Sequence, residues 1–211
     1  IADRPVRLNV NAYNMDYSKI QRGLADFNPT TNQNGAATLS SASAPIPGDE
    51  VELMVKPFDA LELGGNYSYT DAKYKSFKYT SASPVWDCNS RAATEAEKTL
   101  TPDLTCIPLQ FMSPHIFSVY GRLAIPTSEK VGDVSLFVSY SWSDKRHQSG
   151  PALEYFPNTN LVWEPGSDLG SYGLLSASLD WKQAMGTGLD VSLFGTNLLN
   201  TKYAMSNSGV Y

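Results

Sequence analysis

Residues Tyr172 to Tyr203 read YGLLSASLDWKQAMGTGLDVSLFGTNLLNTKY. In the first half, Leu175, Ala177, Leu179 and Trp181 fall on one face and Ser176, Ser178, Asp180 and Lys182 on the other. In the second half, Leu189, Val191, Leu193 and Gly195 oppose Asp190, Ser192, Phe194 and Thr196. A period of two residues marks a β-strand with one apolar and one polar side. The link from Gln183 to Thr187 and Gly188 holds the glycines that a short hairpin uses. The stretch is therefore an antiparallel hairpin, and the open question is what its apolar face touches.

The same alternation recurs upstream. Val6, Leu8, Val10 and Ala12 alternate with Arg7, Asn9 and Asn11. The parity then shifts, with Tyr13, Met15 and Tyr17 taking the apolar positions, as a bulge there would produce. Gln21 to Gly48 is rich in small and polar residues and reads as a long loop with weak strand extensions. Val51, Leu53 and Val55 form a second strand, and Pro57-Phe58-Asp59-Ala60 a tight turn. Leu61, Leu63, Gly65, Tyr67 and Tyr69 form a third strand that runs on toward Tyr74 and Phe77. Thr80 to Ser113 is a second long connection. Phe117 to Ile125 and Val134 to Trp142 alternate again around a short turn from Pro126 to Asp133. Ser143 to Ser171 is a third long, irregular segment.

Composition narrows the function classes. The chain has 211 residues, with 18% charged and 42% hydrophobic side chains and a net charge of −5. That balance offers no electrostatic footprint for nucleic acid. No apolar run approaches the roughly 18 residues of a membrane helix. No charged-then-apolar start resembles a signal peptide, which fits a mature chain or a fragment.

Loop length then separates the architectures. Connections alternate between long and short along the chain. In an up-and-down sheet, all long ones lie at one end and all tight turns at the other. A transmembrane β-barrel has this asymmetry, with short periplasmic turns and long extracellular loops. The strands suit the ~9–11 residues that cross a bilayer at a tilt. Tyr67, Tyr69, Tyr140, Trp142 and Trp181 lie near strand ends, where interfacial girdles form. Glu50, Glu52, Lys56, Glu62, Arg122, Asp180, Lys182 and Asp190 all lie opposite the aliphatic residues, on the face that would meet a wet lumen. The rival architecture is a soluble β-sandwich that binds carbohydrate or protein, whose connections are short at both ends. The expected fold is thus all-β, an antiparallel up-and-down barrel of which about seven strands are present.

Several stretches carry a resemblance. Phe194-Gly195-Thr196-Asn197-Leu198-Leu199-Asn200-Thr201-Lys202-Tyr203 resembles the pattern near the C-terminus of TonB-dependent outer-membrane receptors, in which a late strand runs into Asn-Leu-(Leu/Phe)-(Asn/Asp)-x-x-Tyr. Asn197, Leu198, Leu199, Asn200 and Tyr203 match it. Gly48 to Pro57 is similar to the family's GxExExxxKP strand, and Leu61 to Tyr74 to the strand after it. The first strand, ending Asp16 to Gln21, fits as well. The resemblance implies a barrel of about 22 strands plugged by an N-terminal domain. It implies residence in a Gram-negative outer membrane and uptake of a scarce nutrient: a siderophore, a saccharide or another small organic ligand. Residues 1–211 are then the C-terminal portion of such a barrel, without the plug and the final strand. The implied partners are outer-membrane lipid, the remainder of the receptor, the TonB complex through the N-terminal part, and the small-molecule ligand. A plug-less porin or structural barrel is the alternative inside the membrane.

No GxSxG, HExxH, CxxC or phosphate loop is present, so neither an enzyme nor a cofactor or metal is expected. His115 and His147 lack ligand-spaced partners; His115 is expected at a strand start beneath a loop. Aromatic side chains in the long loops, Trp86, Tyr155, Phe156 and Trp163, are the candidate ligand contacts, with Glu154, Asn158 and Asn160 beside the last three. Cys88 and Cys106 share one loop, and in an exported protein they are expected to pair. The bond would stabilise that loop by about 3 kcal/mol in the chain-entropy account. Denatured but unreduced protein should then take up no thiol label; labelling of both cysteines would overturn the pairing.

Overall fold

A strand with one apolar face satisfies its backbone only by pairing with neighbours of matching parity, and the chain does so from end to end. The computed structural model describes residues 5–28, 33–78, 80, 99–101, 103–148 and 168–206, and of 22–28 and 33–41 the backbone only. The strands are β1 (Val6–Asn28), β2 (Gln33–Phe58), β3 (Leu61–Thr70), β4 (His115–Ile125), β5 (Asp133–Ser143), β6 (Arg146–His147), β7 (Asp168–Leu169), β8 (Tyr172–Lys182) and β9 (Val191–Gly195). Seven of them form one sheet in the order β1-β2-β3-β4-β5-β8-β9, with every pair antiparallel. β6 and β7 make a small separate ribbon inside the third long connection. The sheet is open, a partial up-and-down barrel.

Register carries the sequence pattern across all seven strands. One row runs Val6, Val55, Leu63, Gly121, Val138, Ala177, Gly195. The next toward the loops runs Leu8, Leu53, Gly65, Val119, Tyr140, Leu175. Toward the turns, Leu61, Leu123, Leu136, Leu179 and Leu193 line up. Charged and hydroxyl residues fill the intervening rows, as in Asn9, Glu52, Asn66, Ser118, Ser141. On β4 the apolar positions run from Phe117 to Ile125, about 27 Å along the strand at ~3.4 Å per residue. Tilted by ~40°, that is a band of roughly 20 Å.

The turn end is tied together. Val131 carbonyl, in the β4–β5 turn, accepts from Met185 N at 3.1 Å and from Trp181 Nε1 at 2.7 Å. Gly132 beside it has φ 91, and a side chain there would run into the backbone oxygens of Lys182 and Gln183. The β8–β9 link closes with left-handed backbone at Gln183, Met185 and Gly186.

Three expectations are corrected here. Gln21 to Gly48 is not mainly loop: β1 and β2 pair out to Asn28 and Gln33. Its Ser, Thr and Ala residues carry no apolar alternation, so the ladder there is a backbone pairing without a legible face. The parity change at Tyr13 is not a bulge, because Ala12↔Asp49 and Tyr13↔Gly48 continue the register unbroken. The irregularity lies later, between Tyr17 and Ile20, where Lys19 has φ 56. And β3 ends at Thr70 rather than running through Tyr74 and Phe77. These two side chains instead join a compact cluster at the loop end: Ala42, Ala44, Ile46, Tyr74, Phe77, Leu104, Ile107 and Leu109, with Ile20, Ala72 and Met112 packed against it. Phe77 is 1% exposed, whereas Val10 in the sheet is 69% exposed. Among the described residues the buried core thus sits beside the sheet's loop end and not between two sheets.

An ion pair pins one edge of that cluster. Lys78 Nζ lies 3.3 Å from Asp103 Oδ2, and Asp103 Oδ1 accepts from Thr105 N at 2.9 Å and Thr105 Oγ1 at 2.7 Å. Partial burial pushes the Asp103 carboxyl up, but the Thr105 bonds and Lys78 outweigh it and hold it below its ordinary 3.8. A lowered folded value stabilises the fold fully above the unfolded one and progressively less as pH falls through the folded one. The loop segment around Leu104 should therefore lose protection from proteolysis as pH falls below about 4, and Asp103→Asn should flatten that dependence. An unchanged acid profile in Asp103→Asn would overturn the assignment.

Candidate functional site: the polar face and the loop end of the sheet

Alternation places every second side chain of β1 to β5, β8 and β9 on the face opposite the aliphatic rows, and these groups bond across strands. Lys56 Nζ sits 3.5 Å from Glu62 Oε2, and Tyr120 Oη donates to Glu62 Oε1 at 3.2 Å. Asn9 Nδ2 donates to Glu52 Oε2 at 2.9 Å. Ser192 Oγ and Ser178 Oγ donate to the two oxygens of Asp180 at 2.6 and 3.2 Å, and Ser118 Oγ donates to Asn66 Oδ1. Arg122 lies over the Phe137 ring, 5.5 Å from its centroid. Carboxylates held by hydroxyl and amide donors, with cations interleaved, make a wettable wall carrying both signs of charge. Tyr120 also covers Gly64, where a side chain would clash with its ring. Parity places Glu62 and Arg122 on this face, and nothing in the sequence marks Tyr120 as the bridge to Glu62.

The aromatic residues expected at strand ends lie where their rows predict. Tyr67, Phe117 and Trp142 align across β3, β4 and β5 near the loops. Phe117 stacks on Trp142 at 5.5 Å between centroids. His115 begins β4 as expected: its Nδ1 is 2.8 Å from Tyr67 Oη, and its ring stacks on Tyr69 at 5.0 Å. Trp181 lies at the opposite, turn end.

Trp86, Tyr155, Phe156 and Trp163, the candidate ligand contacts, lie outside the described residues, as do Glu154, Asn158 and Asn160. Cys106 is described and is not a free thiol. Cys88 lies outside the described residues, so the pairing of the two stays a proposal. The loop-end cluster was missed in the sequence; its trace was the apolar density of Leu104, Ile107 and Leu109 within a segment otherwise read as polar.

The C-terminal motif has a physical basis in the structure. Asn197 and Asn200 take left-handed backbone, φ 49 and φ 51, which asparagine tolerates better than most residues. Asn197 closes a small ring on Thr201: its Oδ1 accepts from Thr201 N at 2.8 Å and its Nδ2 donates to Thr201 O at 3.0 Å. Leu198 N donates to Leu175 O at 2.8 Å, which re-engages β8 past the end of β9. Leu198 also fills the space over Gly195. The chain then delivers Tyr203 onto Tyr172, stacked with centroids 4.4 Å apart. Arg146 covers Tyr172 from 5.7 Å and reaches Met205 O at 3.5 Å. These residues position the edge of the sheet.

No protein-family model matches the chain, and no curated protein does. Among solved structures, the closed form of the ferric-catecholate import receptor Fiu from Escherichia coli K12 is similar, with a TM-score of 0.55 and 14% identity. The match covers 96% of this chain and 22% of the receptor. The chain therefore spans a minor part of that protein's length, and the likeness at this identity is one of fold alone: a segment of β-barrel.

Asn197→Ala should remove both side-chain bonds and leave alanine in a left-handed conformation, a loss of about 2 kcal/mol. Asn197→Gly should recover the conformational part only. Denaturant unfolding of both variants checks the order; equal losses would sink the account.

Proposed function

We propose that the chain is a wall segment of an outer-membrane barrel that imports a small organic ligand, of the TonB-dependent receptor kind. The observation that carries this reading is the pair of unlike faces running unbroken over seven strands. Within the band one is aliphatic and the other charged, and among the described residues no second layer covers the aliphatic face. Val6, Leu8, Val10 and Leu193 are each at least 60% exposed. In water such a face is a liability of several strands' width. In a bilayer it is the natural outer surface, with the polar face turned to a lumen. The band of about 20 Å, the aromatic residues at both of its ends, and long connections confined to one end all support the same placement.

The likeness to an iron–catecholate importer is what brings uptake, rather than passive flux, to the fore. On this reading the carboxylates and hydroxyls of β2 to β4 and β8 line the passage, and the long connections face outward to meet the ligand. The plug, the energy-coupling partner and the remaining strands would be supplied by the rest of the receptor. Open edges at β1 and β9 require that completion, because lipid leaves unpaired backbone groups without partners.

Leu179 and Ser178 are neighbours on β8 with opposite faces, so they form a matched test. Leu179→Arg should cost ~2–4 kcal/mol in a lipid-folded protein, and Ser178→Arg well under half of that. Equal costs in a vesicle refolding titration would reject the assignment of the two faces.

A further inference from the structure

On β2 the parity never breaks between Val55 and Ala42, since its pairing with β1 runs without interruption from Val55 to Ala44. Ala42, Ala44 and Ile46 thus share a face with Glu50, Glu52 and Met54, the polar face of the sheet. Their partners on β1 are Ile20, Tyr17 and Met15. Near the loop end the polar face therefore turns apolar, which is the origin of the parity change in the sequence at Tyr13.

The β2 side of this apolar patch is covered, with Ile20 of β1 packed against the cover. Tyr74, Phe77, Leu104, Ile107 and Leu109, all from the β3–β4 connection, bury Ala42 and Ala44 to 1% exposure. The covering segment is also laced to β2 through its backbone. Ser43 N donates to Ser76 O at 2.8 Å, Lys75 N to Ser43 O at 2.8 Å, and Asp71 N to Pro47 O at 3.0 Å. Leu104 N donates to Phe77 O at 2.7 Å, and bridges join Lys73 to Pro108 and Lys78 to Asp103. An element that combines a dry core with backbone pairing opens only by unfolding that core.

We propose that the described parts of the β3–β4 connection, residues 71–78 and 103–114, form a fixed strap that pairs beside β2 at the loop end and packs its apolar side chains on the lumen side, and not a lid that swings clear. The strap's place over a lumen rests on the barrel reading above; its fixity does not. A ligand that reaches the polar wall passes beside the strap.

Hydrogen exchange followed by fragment mass analysis tests this on the longest natural polypeptide that contains residues 1–211, folded in detergent. The peptides bearing the amides of Lys75, Leu104 and Ile107 should exchange as slowly as those bearing Val119 and Val138. Exchange at the rate of a free loop would overturn the proposal. Phe77→Asp should speed exchange at the strap by about 100-fold or more while Val138 stays slow, and Phe77→Leu should keep the strap protected. Protection unmoved by Phe77→Asp would equally overturn it. The arginine pair on β8 keeps the two ideas apart. Fast strap exchange with unequal arginine costs removes the strap and keeps the barrel. Slow exchange with equal costs removes the strap from any lumen.

Discussion

The constraint on which everything else rests is the period of the extended chain. Side chains alternate with a repeat of two, so a slip of one residue between any two strands would carry every leucine to the wrong face. Here the rows stay aligned through six successive pairings, from Val6 to Gly195. Three of the six pairings, β2 with β3, β4 with β5 and β8 with β9, are held at one end by a tight connection that allows no slack: Asp59-Ala60, the turn around Gly132, and the link through Met185 and Gly186. The aliphatic rows and the polar rows are two readings of one register. Losing either would lose both.

The strands of the band and their faces were legible because alternation is a local signal. Leu175 to Trp181, Phe117 to Ile125 and Val134 to Trp142 each announce a strand without help from the rest of the chain. The protruding part of the β1–β2 hairpin was not legible, since Ser, Thr, Ala and Asn alternate with nothing, and the strand exists because a partner lies alongside. Tyr13 to Tyr17 misled for a related reason: a bulge and a change of surroundings leave the same trace in a sequence. The cluster around Phe77 could not be read at all. It joins residues from three separated stretches, and nothing local marks Ala44 as a surface that Leu109 will cover. The Asn197 motif was recognisable only by resemblance; its cause, two left-handed asparagines and a side chain clasping Thr201, is a matter of backbone conformation that no local pattern announces. The candidate ligand contacts Trp86, Tyr155, Phe156 and Trp163 lie outside the described residues.

Packing is distributed unevenly, and that distribution bears on function. The sheet has few buried side chains of its own, because both its faces are surfaces. The dry core is held at the loop end by Ala42, Phe77 and their neighbours. Rigidity in the band comes from hydrogen-bonded backbone and cross-strand pairs, whereas rigidity above it comes from hydrophobic burial. The two regions thus answer to different solvents: one depends on what surrounds it, the other carries its own interior.

The shared carbonyl of Val131 has a consequence for how such a wall tolerates sequence drift. Two donors from the β8–β9 hairpin, Met185 N and Trp181 Nε1, converge on one acceptor in the neighbouring hairpin. An insertion on either side of that joint displaces an acceptor used twice, so the turn end is closed to lengthening. At the opposite end the arms leaving β5 and β8 meet only in the two-residue β6–β7 ribbon among the described residues, and residues added beyond that ribbon leave the ladder below untouched. Diversification of such a chain is therefore polar: one rim is free to lengthen and acquire new sequence, while the other must keep its length.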